Sequence, residues 1–327
     1  MPVVNEKGDA MLGARLSVSS LCAVALAAIL LPPVAAASPA ADPCEGFLRA
    51  IDAGLLEPYA DDATREHRAA LLLDAAQSDC AMASHVAAGL SALGDDHPAR
   101  LLPRDLDAAE RGFLRLLEQG NLAMLTRLSY LASAQENWEL AMGWAQLAGR
   151  IATMVESRAG RKSEAEATRL LELFAERPDS GEAEAKAALA TLMEAHGESI
   201  RKGLAAYDDL RREGTERMWG DLIPDRRNHA ILRSMPPVEP KAAQVMFLVG
   251  VDPDGRIARK WWFDAIPDAK LAKPLGSVIG QLRFNRNDDV ALRWAIQPMS
   301  FANGEFGLGP GGDRLVQNSA GQDAGPF

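Results

Sequence analysis

Reactive chemistry is thinly spread in this chain, which has 3 cysteines, 5 histidines and 3 tyrosines among 327 residues, with aromatics at 6%. The histidines, His67, His85, His97, His196 and His229, are scattered. None forms an i, i+4 pair around a glutamate, which removes the metalloprotease pattern, and no His-Cys spacing suits zinc. There is no Gly-x-Ser-x-Gly elbow, no Gly-Lys-Ser or Gly-Lys-Thr phosphate loop, and no dinucleotide-binding glycine pattern between a strand and a helix. These absences predict no catalytic residues, no metal and no cofactor. Basic residues are also outnumbered, 35 against 45 acidic, for a formal charge of -10. Phosphate binding needs clustered Lys and Arg, so no nucleic-acid partner is expected.

Long apolar runs are scarce too, and the one present is Leu16 to Leu31. Arg15 precedes it, Pro32-Pro33 breaks it, and Ala35-Ala36-Ala37 follow. That order predicts a secretory signal over residues 1–37, cleaved after Ala37, with translation starting at Met1 or at Met11, the latter giving the short basic n-region such signals favour. A retained inner-membrane anchor is the alternative, and only then is a membrane a partner. Cys22 would leave with the signal. Cys44 and Cys80 would remain, and in an oxidising, periplasmic compartment they are expected to pair as a disulfide rather than persist as two buried thiols.

What is abundant is Ala and Leu at helical spacing. Residues 38–154 read as stacked helices, with stripes such as Ala69, Leu72, Leu73 and Ala76, or Phe113, Leu116 and Leu117. Ala81-Met82 recurs as Ala123-Met124, and Gly112-Phe113 recurs loosely as Gly143-Trp144, with Gly94 to Pro103 looking like a loop inserted in the first unit. The stretch Ala141 to Ala148 resembles the second helix of Sel1-like and tetratricopeptide repeats, where small residues let paired helices approach. An irregular bundle is the competing reading. Residues 155–235 carry long charged helical patterns, including Ala165 to Phe174 and Glu182 to His196, interrupted at Arg177 to Gly181, where Asp179 or Ser180 could cap the next helix. Residues 236–241 form a stiff proline-rich junction, and the glycine-rich tail, 303–327, is expected to be disordered.

Residues 242–302 change character. Val245, Phe247, Val249 and Val251 alternate on one strand face with Met246 and Leu248 on the other, so both faces should be covered. Asp252, Pro253, Asp254 and Gly255 then supply a tight reversal, with Gly255 at positive φ. A calcium reading of Asp252 and Asp254 lacks the further acidic ligands such a loop needs. The second strand, Ile257 to Phe263, should place Ile257, Trp261 and Phe263 on one face and Trp262 on the other. Leu271, Leu275, Val278, Ile279 and Leu282 make one helical stripe, with Pro274 in the first turn. Leu292, Trp294 and Ile296 begin a third strand that ends near Phe301.

This order, with Val251-Asp252-Pro253-Asp254-Gly255-Arg256-Ile257, Leu282-Arg283-Phe284 and Phe301, resembles the TonB C-terminal domain family over about 60 residues. The resemblance implies a small α+β domain (ββαβ) following an all-α, repeat-like body, hence a multidomain chain. Members of that family bind partner segments by adding a strand to an open sheet edge. Energy-transducing members keep a membrane anchor and a long proline-rich linker, whereas here a helical body stands in the linker's place. The expectation is therefore a non-enzymatic, exported interaction or scaffold protein of the cell envelope with a protein partner. An anchored energy transducer for outer-membrane transport and an envelope enzyme with an unrecognised site are the alternatives. Trp261 and Trp262 are the candidate binding residues, because adjacent strand residues face opposite ways.

Overall fold

The computed structural model describes residues 44–58, 61–78, 80–154, 182–212, 225, 227–233, 242–266, 268–289, 291–302 and 305–307. The expected signal segment, the helical pattern at 165–174, the break at 177–181 and the proline-rich junction lie outside them. The chain is mostly helical with a small antiparallel sheet.

Among the described residues six α-helices precede position 155: α1 (Glu45–Asp52), α2 (Asp62–Gln77), α3 (Ala81–Leu93), α4 (Leu106–Glu118), α5 (Met124–Ala134) and α6 (Trp138–Met154). Polar side chains set several of their starts. Asp61 accepts from the Thr64 amide at 2.7 Å and Asp105 from the Ala108 amide at 2.9 Å, each satisfying a donor that a first helical turn leaves free. The helices pack in pairs, α3 on α4 and α5 on α6, and α7 (Glu182–Arg212) lies along α4 and α6. Glycine permits these approaches: a β-carbon on Gly112 would stand 2.7 Å from Ala88 Cβ of α3, and one on Gly143 would stand 2.7 Å from the Ala188 carbonyl of α7. The two glycines that looked equivalent in sequence therefore face different neighbours, one the preceding helix and the other the following one. Phe113 and Trp144 are buried at the centre of this packing, each contributing roughly 1.5–3 kcal/mol by leaving water. No described helix is long and apolar enough to cross a membrane.

Leu72 and Ala76 of the α2 stripe are buried as expected, but Leu73 is 44% exposed. The buried arc of α2, which packs on α3 and more lightly on α1, is narrower than the apolar spacing implies, and Leu71 beside Leu73 is exposed as well. A disulfide joins Cys44, just before α1, to Cys80, just before α3, with a Cα–Cα distance of 4.9 Å.

The sheet has three ten-residue strands, β1 (Ala242–Val251), β2 (Ile257–Ile266) and β3 (Arg293–Ala302), plus the short β4 (Glu305–Gly307), in the order β2-β1-β3-β4, all antiparallel. Leu292 falls just before β3 rather than within it. β4 lies in the stretch expected to be disordered. It pairs with the end of β3, Phe306 opposite Phe301. After β2 comes α9 (Ala272–Ile279), and the short α8 (Asn228–Arg233) precedes β1. Asn228 is fully buried, and its side chain both donates to the Arg283 carbonyl at 2.7 Å and accepts from the Arg283 amide at 2.8 Å.

The strand alternation read from β1 holds. Val245, Phe247, Val249 and Val251 pack with Leu275, Ile279 and Leu282 on the α9 side, whereas Met246 and Leu248 share an interior with Phe47, Leu72 and Leu90 of the helical body. The sheet is thus the middle of three layers. In β2 the expectation needs correcting at one residue: Ile257 packs on the α9 side, opposite Trp261 and Phe263. A bulge explains this, since Val251 pairs with Ile257 but Gly250 pairs with Arg259, so one extra residue reverses the alternation.

Candidate functional site

The Asp252 to Gly255 segment is a structural turn. Gly255 sits at φ 80°, its amide reaches the Asp252 carbonyl at 2.9 Å, and the Asp252 carboxylate accepts from the Arg256 amide at 2.8 Å. The turn is also tied down from outside. The Phe284 amide donates to the Gly255 carbonyl at 2.8 Å, the Asn287 amide to the Pro253 carbonyl at 3.1 Å, and Arg286 pairs with Asp254. This accounts physically for the Arg283-Phe284 step that accompanies the turn. A β-carbon at position 255 would fall 2.1 Å from the Phe284 carbonyl oxygen, so the close approach needs glycine. Among the described residues no group of three or more His, Cys, Asp or Glu is arranged to hold a metal ion.

Trp261 and Trp262 part company, as adjacent strand residues should. Trp261 stacks on Trp294 of β3, with ring centroids 5.9 Å apart and planes 22° apart, on the side of the helical body. Trp262 turns to the α9 side and packs against the His97 ring at 4.6 Å. Both are partly exposed. His97 comes from the segment that interrupts the helical pattern between α3 and α4. Its Nδ1 accepts from the Ala99 amide at 3.2 Å, which leaves Nε2 as the donor to the Trp262 carbonyl at 2.9 Å. Burial holds the His97 pKa below its ordinary value, partly offset by that bond to the carbonyl.

The outer side of β2 is consequently only partly free. His97 takes the Trp262 carbonyl, and Gly89 of α3 lies so close that a β-carbon there would stand 2.5 Å from the Phe263 carbonyl. Ala258 to Lys260 remain exposed at the hairpin end. At the other edge β4 pairs with the end of β3, and Ala295 to Met299 are buried. The β2 edge anticipated as open from the sequence is therefore partly occupied, with Ala258 to Lys260 exposed next to the turn.

A second bulge does more. Phe247 pairs with Trp262 and Met246 with Asp264, so Phe263 and Asp264 both project toward the helical body. There Asp264 Oδ2 lies 2.8 Å from Arg127 Nε of α5, with the side chains 5% and 1% exposed. The contact sets charge against charge without the alignment of a hydrogen bond, and Arg127 Nη1 and Nη2 have no hydrogen-bond partner among the described residues. Burial pushes the Asp264 carboxyl above its usual range, opposed by the Arg127 charge and by the Ala265 amide. Nearby, His85 of α3 meets Phe263 edge to face at 5.1 Å, and burial, reinforced by the Arg127 charge, lowers its pKa to about 3. The sequence offered no signal for this cluster, whose members lie far apart in the chain.

Arg127, Asp264 and Trp262 line a cleft of about 1290 Å³ between the helical body and the small domain. Phe113, Leu131 and Phe247 add apolar wall, and Arg104, Lys270 and Lys273 stand at exposed positions along it. Of the two candidate tryptophans, only Trp262 belongs to this cleft. No family model, no curated protein and no solved structure matches this chain.

Proposed function

We propose that this chain is an exported, non-enzymatic interaction protein of the cell envelope that holds a segment of a protein partner. The observation that carries the reading is the cleft at which the helical body and the sheet meet, because its walls come from both halves of the chain and its volume exceeds the ~300–1,000 Å³ of ordinary small-molecule sites. The small domain is TonB-like in the order of its strands, turn and helix, and the helical body is read as Sel1-like. In this chain the partner's docking place moves from the sheet edge to the cleft, since α3 and His97 engage β2's edge at Trp262 and Phe263. The Cys44–Cys80 disulfide is compatible with an oxidising, periplasmic setting.

The test is crosslinking in the native envelope followed by mass spectrometry. A reproducible protein partner, with crosslinks from lysines of the small domain, is the expected result. Recovery of no recurrent partner would overturn the reading.

A further inference from the structure

The cleft's charge runs against that of the chain. The protein carries a formal charge of -10, yet the cleft is lined by five cationic side chains, Arg104, Arg127, Lys260, Lys270 and Lys273, against three carboxylates, Asp96, Asp264 and Asp268. Two of those carboxylates already face cations, Asp264 at Arg127 and Asp268 at Lys270. Asp268 is also occupied in capping the turn that leads to α9, accepting from the Lys270 amide at 2.8 Å.

Arg127 is the informative member. A guanidinium that is 1% exposed and has no hydrogen-bond partner for Nη1 and Nη2 among the described residues is costly to bury, and its field is poorly screened across an apolar wall. Trp262, Phe113, Leu131 and Phe247 supply apolar and aromatic wall, and Ser133 and Ser277 are among the other lining residues.

We propose that the cleft recognises an acidic peptide segment that alternates carboxylate and apolar side chains. Its apolar residues would cover the Trp262 wall while its carboxylates meet Arg104, Lys270 and Lys273. A peptide is favoured over a small acid by the length of wall available, which runs from the end of α3 and the start of α4 to α9. This proposal rests on the protein-interaction reading and specifies the chemistry of the partner.

Isothermal titration of the full exported chain tests it, using an N-acetylated decapeptide of alternating Leu and Glu, the same peptide with Lys for Glu, and decanoate. The Glu peptide should bind saturably, at least about tenfold tighter than the Lys peptide, and more weakly as salt rises. The triple variant Arg104→Gln, Lys270→Gln, Lys273→Gln, altered only at exposed positions, should lose that preference while keeping the parent's melting temperature. Equal binding of the two peptides, absence of saturable binding, or decanoate binding as tightly as the Glu peptide would each overturn the proposal. Failure here with a crosslinked partner still recovered would sink the acidic-peptide chemistry alone, whereas loss of any partner would sink the interaction reading itself.

Discussion

Arg127 of α5 and Asp264 of β2 meet 2.8 Å apart in a setting almost sealed from water, and they join the helical body to the sheet. Breaking one half of a buried pair leaves the other charge uncompensated, which typically costs about 3–5 kcal/mol. Asp264→Ala should therefore lower stability by about that amount in urea unfolding. The double variant Arg127→Met, Asp264→Leu should recover most of the loss, because an apolar pair of similar volume has no charge left to strand.

His85 and His97 make the fold sensitive to acid. Both have folded pKa values below the ordinary histidine value, so the unfolded chain binds more protons as pH falls below about 6.5, and stability drops in that direction. For His85, with a folded pKa of about 3, the loss continues down to that pH at about 1.4 kcal/mol per pH unit. Urea unfolding between pH 7 and pH 5 should show the decline. His85→Phe, which keeps a ring against Phe263, should remove one proton's worth of slope. An unchanged slope would mean that the imidazole is not buried as described.

The Cys44–Cys80 disulfide closes 36 residues of chain. Loop-closure entropy puts its contribution at about 4 kcal/mol. A Cys44→Ala, Cys80→Ala variant should melt well below the parent, and reductant should shift the parent toward the variant while leaving the variant unmoved.

Gly255 should resist substitution. Its φ of 80° and the Phe284 carbonyl 2.1 Å from any β-carbon both oppose a side chain, so Gly255→Ala should cost about 1–3 kcal/mol from backbone strain alone, with the clash added. Gly46→Ala is the matched control. It lies in α1 with nothing within 4 Å of its β-carbon and should be neutral or stabilising by up to about 1 kcal/mol. Thermal unfolding of the two variants side by side checks both.

Legibility followed the range of the forces involved. The alternation along β1, the Asp252 to Gly255 turn and the helical stripe ending at Leu282 are local patterns, and the folded chain reproduces them. Ile257 lies on the face opposite to the one its spacing implies, because a bulge leaves no mark in hydrophobic spacing. The cleft was invisible for a different reason. Nothing in the local spacing singles out Arg127 or Asp264, and His97 reads as part of an inserted loop, yet tertiary packing sets Arg127 against Asp264 and His97 against Trp262. What read as an interruption between α3 and α4 is the segment that grips the sheet.

The most direct test of a cleft that holds a protein partner is site-specific photocrosslinking in the native envelope, with the crosslinker at position 270 beside the cleft or at position 65 on exposed α2. Position 270 should give a discrete protein adduct that is absent from position 65 and fades in the Arg104→Gln, Lys273→Gln background. Identical adducts from both positions, or none from position 270, would contradict a partner-holding cleft.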